Sequence, residues 1–221
     1  MRNLVFAADQ IYHVFNRGIE KRPTFLDKRE YERALLTVDF YQYEDPPLRL
    51  AKALQLNKKE REEFFINLKK QGMKLATVIC FCFMPNHFHF LLKQKKEGGI
   101  TKFLSNFANS YTRYFNTKHK RVGPLFQGTF KAVRIEDEEQ LLHVSRYIHL
   151  NPVTSYLIKE EDLNSYQWSS FPEYLRHVKD NICDKDMVLA HFKSADTYRR
   201  FVYDQSDYSK RLAQIKHLIF D

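Results

Sequence analysis

Two apolar runs separated by three residues constrain this chain more than any other feature. Residues 74–83 read KLATVICFCF, residues 87–93 read HFHFLLK, and Met84, Pro85 and Asn86 lie between them. Both runs are short, β-branched and aromatic, and Pro-Asn supplies turn chemistry, so the pair predicts a β-hairpin of two central strands. The remaining segments must be arranged around it.

Before the hairpin, residues 10–15 (QIYHVF) have strand composition and run into the turn signal Asn16-Arg17-Gly18. Asp27 is a helix N-cap for residues 28–43, in which Tyr31, Ala34, Leu35 and Val38 recur at helical spacing, and Pro46-Pro47 stops the helix. Residues 48–71 are charged, with an apolar stripe of Leu50, Leu54, Phe64, Phe65 and Leu68, which predicts a helical insertion spanning 43–72. After the hairpin, Gly98-Gly99 breaks the chain before a helix over 101–118 whose apolar side holds Phe103, Leu104, Phe107, Tyr111 and Phe115. A strand over 129–135 follows. Asp137 then caps a helix over 138–150, expected to end at Asn151 because the residue before Pro152 is disfavoured in the helical region. The order β, α, β, β, α, β, α predicts an α+β fold of the ferredoxin-like kind. In that reading an antiparallel sheet is covered on one face by helices, those after Gly99 and Asp137 among them. One domain over 1–175 and a basic helical C-terminal extension over 176–221, with helical patterns at 185–192 and 195–218, complete the reading.

Lys and Arg number 36 against 27 Asp and Glu, so the formal charge is 36 − 27 = +9 and the pI is near 9.3. Charge of this sign selects nucleic acid or an anionic surface as partner. No apolar run approaches the roughly 18 residues of a spanning helix, and MRNLVFAADQ lacks signal-peptide features, so the expectation is a cytoplasmic protein without a membrane partner. Cys80, Cys82 and Cys183 read as buried small hydrophobes.

Chemistry concentrates in two places. His87 and His89 flank Phe88, so on a strand their imidazoles share one face, about 7 Å apart at Cα, and form a two-point grip for a divalent metal. Neutral imidazoles are required, so metal binding is expected to weaken below about pH 6. The helix after Asp137 carries His143, Tyr147 and Asn151 in a polar row at four-residue spacing. A tyrosine hydroxyl near a metal-bound phosphate can attack phosphorus, with Arg146 and the metal favouring phenolate and the Asn151 amide completing the coordination. The bland alternatives are two half-exposed histidines without a role and an amphipathic ring on a helix surface. Tyr111 and Tyr114 are rival nucleophiles. Basic clusters at Arg17, Lys21 and Arg22, at Lys118, Lys120 and Arg121, and at Lys131 and Arg134 are candidate phosphate contacts.

The stretches HVFNRGIEKRPTF, FMPNHFHFLLK, GPLFQGTFKAVRIE and RYIHLNPV, followed by YQWSS, resemble the REP-associated tyrosine transposases within the single-tyrosine HUH (IS200-like) family, over about residues 8–175. The resemblance implies a metal-dependent single-stranded DNA strand transferase. It would act at palindromic hairpins through a 5′-phosphotyrosine, with Mg²⁺ or Mn²⁺ and no nucleotide cofactor. Carried onto this sequence, the metal-binding pair is His87 and His89 and the nucleophile is Tyr147. The third ligand falls on Asn151, where the insertion-sequence branch usually has Gln. Partners implied are single-stranded or hairpin DNA, with a monomer or homodimer. The rival readings are a domesticated DNA-binding protein without catalysis and a metal-dependent nuclease that uses water.

Overall fold

The computed structural model describes residues 5–177 and 182–204. Strand β1 (Ile11–Arg17) leads to helix α1 (Lys28–Tyr41), whose N-cap Asp27 accepts the Glu30 amide at 3.0 Å. The insertion forms α2 (Leu50–Ala53) and α3 (Lys58–Gln71), the latter opened by a reciprocal Asn57–Glu60 capping box. The hairpin is β2 (Ala76–Met84) and β3 (His87–Gln94); α4 (Gly99–Lys118), β4 (Lys131–Arg134) and α5 (Glu138–Thr154) follow. Short helices α6 (Phe171–Tyr174) and α7 (Asp186–Leu189) precede α8 (Ala195–Tyr203).

The four strands form one sheet in the order β2-β3-β1-β4, every pairing antiparallel, so the expected α+β architecture is present. Strand β1 runs two residues further than its turn signal suggested, because Asn16 and Arg17 pair with Phe88 and His87. Register sorts the side chains. Opposite Phe90 and Phe88 stand Val14 and Asn16, and on this face Phe88, Phe90 and Phe83 meet Phe107 of α4, against which α1 packs. Opposite His89 and His87 stand Phe15 and Arg17, with Cys82 and Met84 across on β2, and this face is covered by α5.

The helix after Gly99 and the helix after Asp137 therefore lie on opposite faces of the sheet. A period-two pattern separates the two faces of a strand without saying which helix covers which. Phe88 and Phe90 give α4 an aromatic bed, while the histidine face receives Leu141, Val144, Tyr147 and Ile148, all buried. The α5 helix also continues past its expected end, through Pro152 to Thr154. Proline removes one amide donor in the last turn, whereas Leu150, Asn151 and Pro152 are all buried by continuing, and the Pro152 carbonyl accepts the Leu157 and Ile158 amides.

Residues 168–170 lie along the outer edge of β2. The Phe83 amide bonds to the Trp168 carbonyl, the Ser170 amide to the Phe81 carbonyl, and Ser169 bridges Cys82. Val188, Tyr198 and Val202 join the main core, so the described part of the C-terminal segment is docked on it. The docking is polar as well as apolar. His149 of α5 contacts the Tyr198 hydroxyl at 2.7 Å and Ser170 Oγ at 2.8 Å, and Tyr198 also donates to Ser145. The helical pattern beyond residue 204 lies outside the described residues. The insertion builds a satellite core of Phe40, Tyr43, Leu50, Ala53 and Leu68 on the outer side of α1. No helix among the described residues is long and apolar enough to cross a membrane.

Candidate active site

Strand alternation, helix phase and sheet register place four polar groups together. His87 and His89 project from β3 with ring centroids 5.1 Å apart, and the Tyr147 ring of α5 stands edge-on to His89 at 5.5 Å. Asn151, one helical turn beyond Tyr147, stands close enough to both Tyr147 and His87 for its side chain to perturb their titration. Tyr147 is 5% exposed, Asn151 6% and His89 1%, while His87 is partly exposed.

A fifth member has no signal in the sequence. His13, on β1, is buried beside His89, its Nε2 lying 3.0 Å from His89 Nδ1, and its ring centroid is 5.9 Å from that of Tyr147. A lone histidine in QIYHVF reads as one side chain of a strand, and only the β1–β3 register brings it to its partner.

Donor chemistry decides whether a divalent ion fits these residues. The Nδ1 atom of His87 donates to Asn86 Oδ1 at 2.6 Å, and that of His89 is taken by His13, so both rings have Nδ1 occupied and Nε2 left as the coordinating nitrogen. The His89 Nε2 is buried without a hydrogen-bond partner, as is the Asn151 amide nitrogen. A buried, unpaired imidazole nitrogen costs free energy unless something binds it. Among the described residues no three His, Cys, Asp or Glu side chains are grouped to hold an ion, so a third protein donor has to be an amide such as Asn151. The residues fit a metal held by two imidazoles and one amide.

Electrostatics here are dominated by burial. It lowers the pKa of His87 to about 4, opposed by the Asn151 side chain and assisted by the charge of Arg17; it holds His89 well below the usual histidine range and His13 near 3. Proton competition for a metal therefore sets in below the pH 6 expected of free imidazole. Burial raises the Tyr147 phenol above its ordinary value, and the Asn151 side chain pulls it back in part. Arg146 does not assist. Helical phase turns it away from Tyr147, its guanidinium bonds the Phe201 and Asp204 carbonyls and lies 4.4 Å from the Phe201 ring, and His143 goes with it, at 2.8 Å.

The remaining candidates separate. Arg17 stands beside His87 in the register and bonds Gln127 at 2.7 Å, and Lys131, exposed, shares the histidine face through its pairing with Phe15. Arg134 projects to the other face, where it bonds Gln10. Arg22 pairs with Glu20, Arg121 bonds Asn116, and Lys120 is an exposed residue in the left-handed region at φ +50°. Of the rival tyrosines, Tyr111 is buried with its hydroxyl on the Thr24 carbonyl at 2.6 Å, and Tyr114 lies under Arg33.

A family model described as "Transposase IS200 like" matches residues 53–151, an interval that holds the hairpin, α4, β4 and α5 up to Asn151. Over that interval the chain is similar to the IS200-like transposases. Strand β1, with His13 and Arg17, lies outside the matched interval yet sits between β3 and β4 in the same sheet. Among solved structures, the transposase fold is shared with a REP-associated tyrosine transposase bound to a REP hairpin. The identity is 12%, the TM-score 0.51, and the match covers 83% of this chain and 93% of the other. No curated protein matches the sequence.

Proposed function

We propose that this protein is an IS200-like transposase, a metal-dependent strand transferase for single-stranded DNA, with Tyr147 as nucleophile and His87, His89 and Asn151 holding Mg²⁺ or Mn²⁺. The observation that carries the reading is the convergence of Tyr147, Asn151 and the unpartnered His89 Nε2 at one buried point. The phenol oxygen of Tyr147 bonds to phosphorus as the bond from phosphorus to the 3′-oxygen breaks. The hydroxyl proton ends on the departing 3′-oxygen, leaving a free 3′-OH and a 5′-phosphotyrosine. The energy of the phosphodiester is kept, so the 3′-OH can reverse the step and no nucleotide is consumed. Held by His87, His89 and Asn151, a divalent ion would supply polarisation of the scissile phosphate and would favour phenolate, which burial alone disfavours. Arg17 and Lys131, on the histidine face, neutralise the incoming strand, with Arg22, Lys120, Arg121 and Arg134 as further phosphate contacts. A hairpin substrate is supported by the REP hairpin bound in the solved relative.

The reading is tested by incubating the protein with Mn²⁺ and a labelled single-stranded hairpin oligonucleotide, then resolving it on a denaturing gel. A protease-sensitive shifted band is expected; cleavage that releases only free 5′-phosphate ends assigns the water-using nuclease instead. Calorimetric titration with Mn²⁺ checks the ligand set. His87→Ala with His89→Ala abolishes binding, and His13→Phe weakens it by roughly tenfold or more by freeing the His89 ring, while His13→Gln, which keeps a polar partner, retains most of it. Equal Mn²⁺ affinity in His13→Phe and wild type removes His13 from that role.

A further inference from the structure

We propose that a basic groove on the face of the transposase opposite Tyr147 holds the sugar-phosphate backbone of duplex DNA, the stem that adjoins the single-stranded segment. The inference rests on the DNA strand-transfer reading above. The groove, about 700 Å³, lies between α1, α4 and the α2 region of the insertion, and Arg33, Arg49, Asn109, Arg113, Tyr114 and Lys118 line it. No carboxylate lines it. Arg49 and Arg113 are exposed and make no ion pair among the described residues. Arg33 lies over the Tyr114 ring at 5.2 Å with its Nε buried and unpartnered. Lys118 is held by Asp27 and Glu30.

A concave surface with several cations and no anion binds a polyanion more readily than it binds solvent. Its aromatic rings are engaged, Tyr114 under Arg33 and Tyr41 edge-on to Phe40 at 4.8 Å, so bases have no free platform on which to stack. That leaves phosphate as the recognised group, and a double helix presents phosphates outward in a regular row. The stretch of α4 from Asn106 to Thr117 that borders the groove is about 16 Å long at helical rise, which matches about five base-pair steps. The groove also explains what the insertion is for: Arg49 comes from it, and Ala51 and Leu54 form the wall facing α4.

The experiment measures binding by fluorescence anisotropy, over a salt series, for a hairpin oligonucleotide and for an unstructured strand of equal length. The test variant is Arg49→Gln with Arg113→Gln, both exposed positions. The control is Lys58→Gln with Lys59→Gln, the same change in net charge at exposed positions on α3. Hairpin affinity of the test variant falls by about tenfold or more at 0.15 M salt, and the slope of log K against log salt becomes shallower by about 2, two phosphate contacts at 0.9 each. Its affinity for the unstructured strand changes less than about twofold, and the control matches wild type on both. An equal loss on both oligonucleotides overturns the duplex assignment and gives the groove to single strands. Wild-type affinity for the hairpin in the test variant, or an equal loss in the control, overturns the groove. A wild-type protein that binds neither oligonucleotide overturns the strand-transferase reading itself, and the groove with it.

Discussion

Tyr147→Phe is expected to fold, to bind DNA and Mn²⁺, and to form no covalent adduct. The substitution removes one buried hydroxyl beside Asn151, at a cost of about 1 kcal/mol in stability, small beside the 5–15 kcal/mol of an ordinary domain. Loss of a nucleophile instead lowers the rate by on the order of 10³-fold or more, so the two roles of the ring are separated by scale. Tyr111→Phe is the sharpest control. It deletes a hydroxyl that is also buried and bonded, to the Thr24 carbonyl, but on the face covered by α4, so it costs similar stability and leaves adduct formation intact. Tyr114→Phe behaves the same way. A Tyr147→Phe protein that still yields the shifted, protease-sensitive band places the nucleophile elsewhere.

Acid is expected to destabilise the protein through its buried histidines. His13 and His149 are neutral in the fold, with pKa values near 3 set by burial, and His89 is held well below the usual range for the same reason and by its two histidine neighbours. In the unfolded chain each returns to about 6.5 and takes up a proton below that value. The unfolded state therefore binds more protons, and stability falls as the pH drops from about 6.5 toward 3, the opposite of a salt-bridged histidine. At pH 4.5, two units below the unfolded value, His13 and His149 together withdraw on the order of 5 kcal/mol, and His89 adds to that. Trp168, the sole tryptophan, stacks on Tyr31 at 4.6 Å and reports the transition by fluorescence. Urea unfolding at pH 7 and pH 5 gives a clearly lower midpoint at pH 5; equal midpoints would mean that these imidazoles are solvated and charged in the fold.

Much of the architecture was legible because its signals are local. The hairpin, the Asp27 and Asp137 caps and the apolar stripes of α1 and α4 are each written within a few residues, and all appear. The shared strand face of His87 and His89 and the four-residue row of Tyr147 and Asn151 were legible too, whereas joining them into one site was what the family resemblance implied. What escaped depends on contacts between distant segments. The side of the sheet that α5 covers follows from Phe88 and Phe90 being claimed by Phe107. The partnership of His13 with His89 follows from register. Arg146 is next to Tyr147 in sequence, yet one residue of helix is about 100° of rotation, and α8, which receives it, lies some fifty residues downstream. The segment YQWSS entered only as one of the stretches that carry the family resemblance. In the fold it is backbone that matters, with the Trp168 carbonyl and the Ser170 amide engaged on β2.

That seal on β2 bears on how copies of the molecule can associate. An open strand invites a neighbour to extend the sheet by main-chain pairing, the cheapest route both to dimers through shared sheets and to uncontrolled fibres. Here a second copy would first have to peel residues 168–170 away, together with the Ser170 hydroxyl that His149 and the Phe81 amide share. At the opposite margin β4 offers only four residues, with Lys131 and Arg134 at its ends, so two such margins brought together would place like charges side by side. Continuous sheets across two protomers are thereby disfavoured at both ends, and contacts between copies fall to helices and side chains, which can form and release without disturbing the strands that carry His87 and His89.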